Sequence, residues 1–228
     1  MLKAGGWNVM RAVCFCLAMV LGAPPGLLKA DEIPEGFTQI FNGANLAGWH
    51  ISMTNHHGNT SEWRIDERVL TARQRPAGNG GVLLTDDRYQ DFEVYLEIKP
   101  DFGCDGGLFL RSNANGQAYQ VMIDYRERGS IGGIYGERLK GVKMTDSQDW
   151  QAVWRNDDWN SLRARIEGEA PRITVWLNGT KITEFQDTAN HAAGGAPDGM
   201  IGLQVHGGSG WVEGGFHRFR NIAVKRLN

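Results

Sequence analysis

Residues 106–136, GGLFLRSNANGQAYQVMIDYRERGSIGGIYG, contain three short segments that are separated by turn-forming residues: Gly106–Arg111, Tyr119–Asp124 and Ile131–Tyr135. In the first two segments, one set of alternate side chains is apolar. This period of two predicts strands that pack one face on a core. The opposite face carries Arg111, Gln120 and Asp124, which are groups that bind ligands. The stretch therefore predicts a β-sheet with one apolar face and one ligand-facing polar face.

The remainder of the chain continues the same pattern. Phe92–Lys99, Asn160–Glu167 and Met200–His206 all alternate, and Asn178-Gly179 is a strong hairpin signal. We count about a dozen predicted strands, with Gly-rich turns and no amphipathic helix. Such a series predicts an all-β domain of two packed antiparallel sheets. No repeat or linker divides it, so residues 31–228 are predicted to form a single domain.

The N-terminal residues differ in character from this domain. Lys3 and Arg11 precede an apolar run, Ala12–Leu21, and small residues follow at Ala23 and Ala30. This order is typical of a secretory signal peptide, and the apolar run is short for a membrane span. We expect residues 1–30 to be removed, with no stable membrane span afterwards, and the protein to be periplasmic or secreted. A retained membrane anchor is the alternative.

Charge and cysteine content limit the classes of function. The formal net charge is −2, and no run of basic residues suggests a nucleic-acid surface. We therefore expect no nucleic-acid partner. If residues 1–30 are removed, Cys104 is the one cysteine left, so no disulfide can form within the chain. A domain of this size can be stable on its apolar core without one.

The polar faces of three strands indicate where a ligand would bind. If those strands are neighbours, five side chains share one face: Arg111, Gln120, Asp124, Gln204 and His206. Four aromatic residues could supply flat walls: Trp49, Tyr135, Trp176 and Trp211. Aromatic walls with hydrogen-bonding groups suit a sugar ring, which has apolar faces and hydroxyl edges. The alternative is an ordinary solvated face on which Arg111 and Asp124 form a simple ion pair.

Histidines give two further hypotheses. His206 ends a predicted strand, and its ordinary pKa near neutrality suits a general base or acid, although a structural role is the alternative. His56-His57 has the appearance of a metal-binding pair. Adjacent side chains of an extended chain point apart, so we interpret this pair as part of a loop. We assign no metal ligand and no cofactor, and we leave a divalent metal open.

An ordered series of motifs resembles the DUF1080 domain, the family of 3-keto-disaccharide hydrolases or 3-keto-glucoside 1,2-lyases/hydratases. The resemblance extends over residues 36–227 and rests on Phe41-Asn42-Gly43, Gly48-Trp49, Leu83-Leu84-Thr85, Asp91-Phe92-Glu93, Leu203–Gly207 and Phe219–Ile222. It implies a concanavalin A-like jelly-roll sandwich of two antiparallel sheets. It also implies a carbohydrate-cleaving enzyme whose substrate is a 3-keto glycoside.

One departure from the family concerns the central strand. Many relatives carry Tyr-Glu-Val-Gln-Ile where this chain has Tyr119-Gln120-Val121-Met122-Ile123. If the missing glutamate is the family's base or metal ligand, its role must pass to Asp124 or His206, or activity is lost. The departure favours an alternative, a non-catalytic carbohydrate-binding module with the same fold.

The resemblance implies elimination across C1–C2 of a sugar oxidised at C3, followed by hydration. We predict that His206 is the base, with Asp124 as the second candidate, and that Arg111 binds the enolate oxygen because its charge is permanent. The other candidates are predicted to bind substrate: Gln120, Gln204, Tyr135, Trp49, Trp176 and Trp211.

Overall fold

The structure, a computed structural model, describes residues 1–2, 33–60 and 62–227. Asp31–Asn228 form one compact unit. The predicted signal peptide, residues 1–30, lies outside the described residues apart from its first two. Among the residues that are described, no helix is long and apolar enough to cross a membrane.

Strands dominate the described part of the chain. In chain order they are β1 (Thr38–Gln39), β2 (Trp49–Ile51), β3 (Trp63–Asp66), β4 (Val69–Ala72), β5 (Gly81–Thr85), β6 (Phe92–Ile98), β7 (Gly106–Ser112), β8 (Ala118–Ile123), β9 (Ile131–Glu137), β10 (Asn160–Glu167), β11 (Arg172–Leu177), β12 (Thr180–Gln186), β13 (Met200–Val205) and β14 (His217–Arg226). A short helix, α1 (Trp150–Val153), and a 3₁₀ turn at Ala193–Gly195 are the helical segments of that part. Almost every alternating segment of the sequence is therefore a strand.

The strands form two antiparallel sheets. One has the order β12-β11-β10-β6-β14-β4-β3, with β1 paired to β14, and the other has the order β2-β5-β13-β7-β8-β9. Several neighbours, such as β6 with β14 and β13 with β7, are distant in sequence, as in a jelly roll. The predicted all-β sandwich is confirmed.

The core lies between the sheets and takes the apolar alternate residues that the sequence indicates. Leu108, Val121 and Leu203 enter it from the six-stranded sheet, and Val94 and Ile166 enter it from the other, all fully buried. Their alternation fixes the register, since a one-residue slip would turn these side chains outward. The opposite face of the six-stranded sheet is therefore free to carry polar side chains.

A β-bulge interrupts this alternation near the end of β7. Ser112 pairs with Met200 and Phe109 pairs with Gly202, so two residues of β7 face the single residue Ile201. The second of these two, Arg111, has a positive φ of 51°. An inserted residue disrupts the alternation of sides, so the side chain of Arg111 does not follow Phe109 onto the outer face.

Candidate active site

A polar pocket of about 710 Å³ opens on the outer face of the six-stranded sheet. Such a volume is within the usual range for small-molecule sites. The pocket is lined by His56, His57, Asp105, Gln120, Met122, Asp124, Arg126, Tyr135, Gly136, Glu137, Arg138, Leu139, Lys140, Met144 and His206. Most of these residues come from β8, β9 and the loops that follow them, so the stretch that predicts the fold also supplies much of the pocket.

Glycines on the neighbouring strands make room for the long side chains of β8. A Cβ atom at Gly107 would lie 2.5 Å from Nε2 of Gln120, and one at Gly133 would lie 2.5 Å from Cε of Met122. Neither separation is possible for real atoms. A larger residue at Gly107 or Gly133 would therefore displace the end of Gln120 or Met122 from its place across the sheet beneath the pocket.

The loop between β2 and β3 brings two histidines to the pocket. The His57 carbonyl accepts a hydrogen bond from Gly80 N–H at 2.9 Å, and its own N–H donates to Asn55 Oδ1 at 2.9 Å. The His56 and His57 ring centroids are 3.9 Å apart, and those of His57 and His206 are 4.9 Å apart. The three rings form a continuous histidine cluster at the pocket.

A chain of buried amides connects this histidine cluster to the backbone of β7. Gln120 Nε2 donates to Gly106 O at 3.2 Å and to Gln204 Oε1 at 3.0 Å, and Gln204 Nε2 lies 2.8 Å from His57 Nε2. A carbonyl oxygen can only accept, so the orientation of both amides follows from Gly106. Gln204 therefore donates to His57, whose Nε2 must carry a lone pair.

A second N–H group competes with Gln204 for the accepting nitrogen of His57. Gly207 N–H lies 3.4 Å from His57 Nδ1, near the long limit for a hydrogen bond. A neutral imidazole has only one accepting nitrogen. The shorter contact to Gln204 determines the tautomer, with the proton on Nδ1.

A shared cation holds the two aspartates of the pocket. Arg126 donates to Asp124 through Nε at 2.6 Å and through NH2 at 2.8 Å, and its NH2 lies 2.9 Å from Asp105 Oδ2. Burial, and next the charge of Asp124, raise the pKa of Asp105 to about 7. Asp105 can therefore hold a proton near neutral pH.

His206 lies between this acidic group and the other histidines. Its backbone N–H donates to Asp105 O at 3.1 Å. Burial, and next the neighbouring His57, lower the pKa of the His206 side chain. The ring is thus favoured in its neutral form, which is the form that can accept a proton.

Two histidines and a glutamate form the group that could hold a metal ion. Glu137 Oε1 lies 3.3 Å from His56 Nε2 and 3.7 Å from His57 Nε2. The pair does lie in a loop, as expected from the sequence. The expectation that the two side chains point apart is wrong, because this loop is a turn and not an extended strand.

Five of the residues that the sequence singles out come together here. His206, Asp124, Gln120 and Tyr135 line the pocket, and Gln204 lies fully buried beneath it, in contact with Gln120. Tyr135 is exposed over 43% of its surface and is therefore open to a ligand. Their roles in binding or chemistry remain predictions, whereas their shared location is established.

The prediction that Arg111 lies in the pocket is wrong. Its guanidinium donates to Asp91 Oδ1 at 2.7 Å, to Gln90 O at 2.7 Å and to Gly168 O at 3.1 Å. These partners lie at the ends of β6 and β10 in the other sheet. The bulge in β7 places the buried Arg111 between the sheets, so it cannot bind an enolate oxygen in this pocket.

Three of the four predicted aromatic walls also lie elsewhere. Trp49 is a core residue whose Nε1–H donates to Ile40 O at 2.8 Å. Trp176 is on β11 of the other sheet and stacks with the Arg163 guanidinium 4.0 Å from its ring centroid. Trp211 lines a different hollow of about 450 Å³. Alternation within strands could not reveal which sheet or which loop each tryptophan joins.

Several pocket residues were not predicted from the sequence. Glu137 could have been found, because it follows Tyr135 by two positions on β9 and must share its side of the sheet. Asp105 and Arg126 lie in turns outside the alternating segments. The alternation of apolar and polar residues therefore could not predict that they line the pocket. His56 and His57 contact Glu137, which lies about 80 residues later in the chain. No local sequence pattern predicts a contact over that distance.

Comparison with known proteins places this geometry in context. Residues 36–225 match the family described as the 3-keto-alpha-glucoside-1,2-lyase-like domain. No curated protein is a significant match to the chain. A match over most of the chain shows the family, which is that of a carbohydrate-active, hydrolase- or lyase-like domain.

Solved structures share the fold at low identity. A candidate glycosyl hydrolase from Parabacteroides distasonis ATCC 8503 is 22% identical, with a TM-score of 0.59 over 84% of this chain and 99% of that one. A β-glucanase from Bacillus licheniformis is 12% identical, with a TM-score of 0.58 over 85% and 99%. The carbohydrate-binding module CBM66 from Bacillus subtilis is 15% identical, with a TM-score of 0.55 over 79% and 97%. These likenesses show a common jelly-roll architecture.

Proposed function

We propose that this chain, which belongs to the 3-keto-alpha-glucoside-1,2-lyase-like domain family, cleaves 3-keto glycosides by elimination across C1–C2 followed by hydration. The observation that carries the proposal is the pocket itself. One space of about 710 Å³ combines a neutral histidine, a carboxyl group that titrates near neutrality and an exposed aromatic ring. A base, an acid and a wall for a sugar are three of the features that this route uses.

The first step is removal of the C2 proton. The ketone at C3 acidifies the C2–H bond, so a single base of moderate strength suffices. His206 accepts the proton on its neutral ring, and the C–H electron pair moves to the C3 oxygen as an enolate. Asp124 is the weaker candidate, because its charge is already held by Arg126.

The second step breaks the bond between C1 and the leaving oxygen. The enolate restores the C3 ketone and forms a C1–C2 double bond, while the leaving oxygen takes the proton of Asp105. The burial that raises the Asp105 pKa to about 7 makes this transfer possible at neutral pH. The products are the free aglycone and an unsaturated 3-keto sugar.

The third step adds water to the double bond. Asp105, now a carboxylate, takes a proton from water as the oxygen bonds to C1. The protonated His206 returns its proton to C2. Both residues regain their starting states, and the overall reaction is hydrolysis of the glycosidic bond.

The test is aglycone release by the full chain from a 3-keto glucoside, compared with the same glucoside in unoxidised form. We expect release from the 3-keto substrate alone, with deuterium from heavy water incorporated at C2. His206→Ala should lower kcat by about a hundredfold or more, as loss of a general base does. The exposed histidine variant His50→Ala is the matched control and should be unaffected.

Two results would contradict the proposal. Equal cleavage of the unoxidised glucoside would indicate ordinary glycoside hydrolysis. Saturable binding of the sugar without turnover of either form would support the alternative, a carbohydrate-binding module in which Gln120 replaces the family's glutamate.

We also propose that residues 1–30 direct export to the periplasm or the exterior. N-terminal sequencing of the protein from an expressing bacterial culture tests this. A mature N-terminus close to residue 31 is expected, and an intact residue 1 on membrane-associated protein would indicate an anchor instead.

A further inference from the structure

We propose that His56, His57 and Glu137 bind one divalent transition-metal ion within the pocket. The three side chains come from two separate parts of the chain, the loop between β2 and β3 and the last residue of β9. Their ligand atoms all lie within 4.8 Å of one another.

The separations suit a single ion. Bonds of about 2.0–2.1 Å in a tetrahedral site place neighbouring ligand atoms about 3.3 Å apart. Glu137 Oε1 is 3.3 Å from His56 Nε2 and 3.7 Å from His57 Nε2. Small side-chain adjustments would therefore bring all three atoms to bonding distance, with further positions open towards the pocket for water or substrate.

Burial favours a close partner for the Glu137 side chain. The carboxylate is on a residue that is only 6% exposed, and within residues 33–60 and 62–227 its close charged partners are the two histidines. Buried acidic side chains are usually paired or coordinate a metal, and a bound cation would give Glu137 such a partner.

The tautomer of His57 is the one that binds a metal through Nε2. Gly106 O orients Gln120, Gln120 orients Gln204, and the Gln204 amide then donates to His57 Nε2. That nitrogen consequently carries a lone pair. A bound ion would replace the hydrogen bond from Gln204 to His57 Nε2. Gln204 therefore competes with the ion for this nitrogen and lowers the affinity of the site for metal.

The donor set limits the identity of the ion. Two imidazoles and one carboxylate suit Zn²⁺, Co²⁺ or Mn²⁺ better than Ca²⁺ or Mg²⁺, which prefer oxygen ligands. The role of the ion, in contrast to its binding, rests on the proposed function. Arg111 lies outside the pocket and Arg126 is engaged by two carboxylates, so the ion would join Arg138 and Lys140 as positive charge at the pocket and would polarise the C3 carbonyl oxygen.

The experiment is calorimetric titration of the chelator-treated full chain with Co²⁺ and Zn²⁺, with the visible absorption of Co²⁺ as a second readout. We expect one equivalent to bind. Glu137→Gln, which keeps the side-chain shape, should weaken binding at least tenfold, and His56→Ala should do the same. His191→Ala removes a half-buried histidine that pairs with Asp187 outside the pocket, and it should leave binding unchanged.

The outcomes separate this inference from the proposed function. No binding at one equivalent, or equal affinity in Glu137→Gln that remains folded by circular dichroism, would overturn the metal site. Binding as expected with no turnover of a 3-keto glucoside supports the site while removing the proposed function. Full turnover by chelator-treated protein that binds no ion would retain the function and refute the site.

Discussion

Arg126 NH2 lies 2.9 Å from Asp105 Oδ2 at the acidic side of the pocket. The same guanidinium also donates to Asp124 through Nε and NH2. Two carboxylates thus share one cation in a half-buried place. Repulsion between two such carboxylates, added to burial, favours a proton on one of them. Asp105 is the more buried of the two, and its pKa of about 7 makes it the group that exchanges protons.

Asp105→Asn removes the proton donor of the proposed elimination. We expect kcat for a 3-keto glucoside with an alkyl leaving group to fall by about a hundredfold or more, with KM little changed. An activated nitrophenyl leaving group needs no protonation, so its release should fall much less. Comparison of the two leaving groups tests whether Asp105 protonates the leaving oxygen. An equal fall in kcat for both substrates would contradict this role.

The same group predicts a pH dependence. Because its pKa is raised to about 7, Asp105 holds its proton below that pH and loses it above. Turnover of the alkyl substrate should therefore decline as the pH rises through about 7. The decline should be absent in Asp105→Asn, and its persistence there would assign it to another residue.

Arg111 is expected to matter for stability and not for chemistry. Its side chain is almost fully buried, and Asp91 is its ion-pair partner. Removing one member of a fully buried pair costs about 3–5 kcal/mol, and the lower end of that range applies here because the Asp91 side chain is 30% exposed and water can solvate part of its charge. Arg111→Met should lower the free energy of unfolding by roughly this amount in urea titrations, with kcat per folded molecule unchanged. A stable variant with strongly reduced turnover would show that Arg111 has a catalytic role after all.

His217 makes the fold sensitive to acid. It is fully buried between Trp211 and Phe219, and burial lowers its pKa from 6.5 to about 4. Between those values the unfolded chain binds the proton and the folded chain does not, so stability falls as the pH falls. The loss from this group is about 2 kcal/mol at pH 5 relative to pH 8.

The variant His217→Leu isolates this effect. Asp105 titrates in both chains with the opposite sign, since its raised pKa favours the folded state at lower pH. The difference between the two unfolding curves therefore reports His217 alone. We expect the variant to gain about 2 kcal/mol relative to the parent chain between pH 8 and pH 5, and no relative gain would refute the assignment.

Cys104 is expected to be unreactive in the folded protein. The thiol is fully buried, and burial raises its pKa to about 12. In a chain with Cys14→Ser and Cys16→Ser, reaction with a disulfide reagent at pH 8 should be about a thousandfold slower than in guanidinium. Rapid modification under native conditions would mean that the turn around Cys104 opens.

Much of the fold was determined by local alternation. Leu108, Val121 and Leu203 had to face a core because apolar side chains that recur every second residue can be buried together only in strands. The same rule placed Gln120 and Gln204 on the other face, where the structure has them. Turn-forming residues separated the strands, so the sandwich class could be derived from the sequence.

The composition of the site was decided by tertiary structure. One extra residue in β7 turned Arg111 away from the pocket. The alternation of side chains along the sequence does not reveal such a bulge, because a bulge is defined by how two strands pair. A turn of the β2–β3 loop brought His56 and His57 to Glu137, across a separation that no periodicity covers. The sequence by itself determined which faces are apolar, because that depends on nearest neighbours along the chain. Only the pairing of distant strands and loops determined which polar side chains meet, because that depends on contacts between residues far apart in sequence.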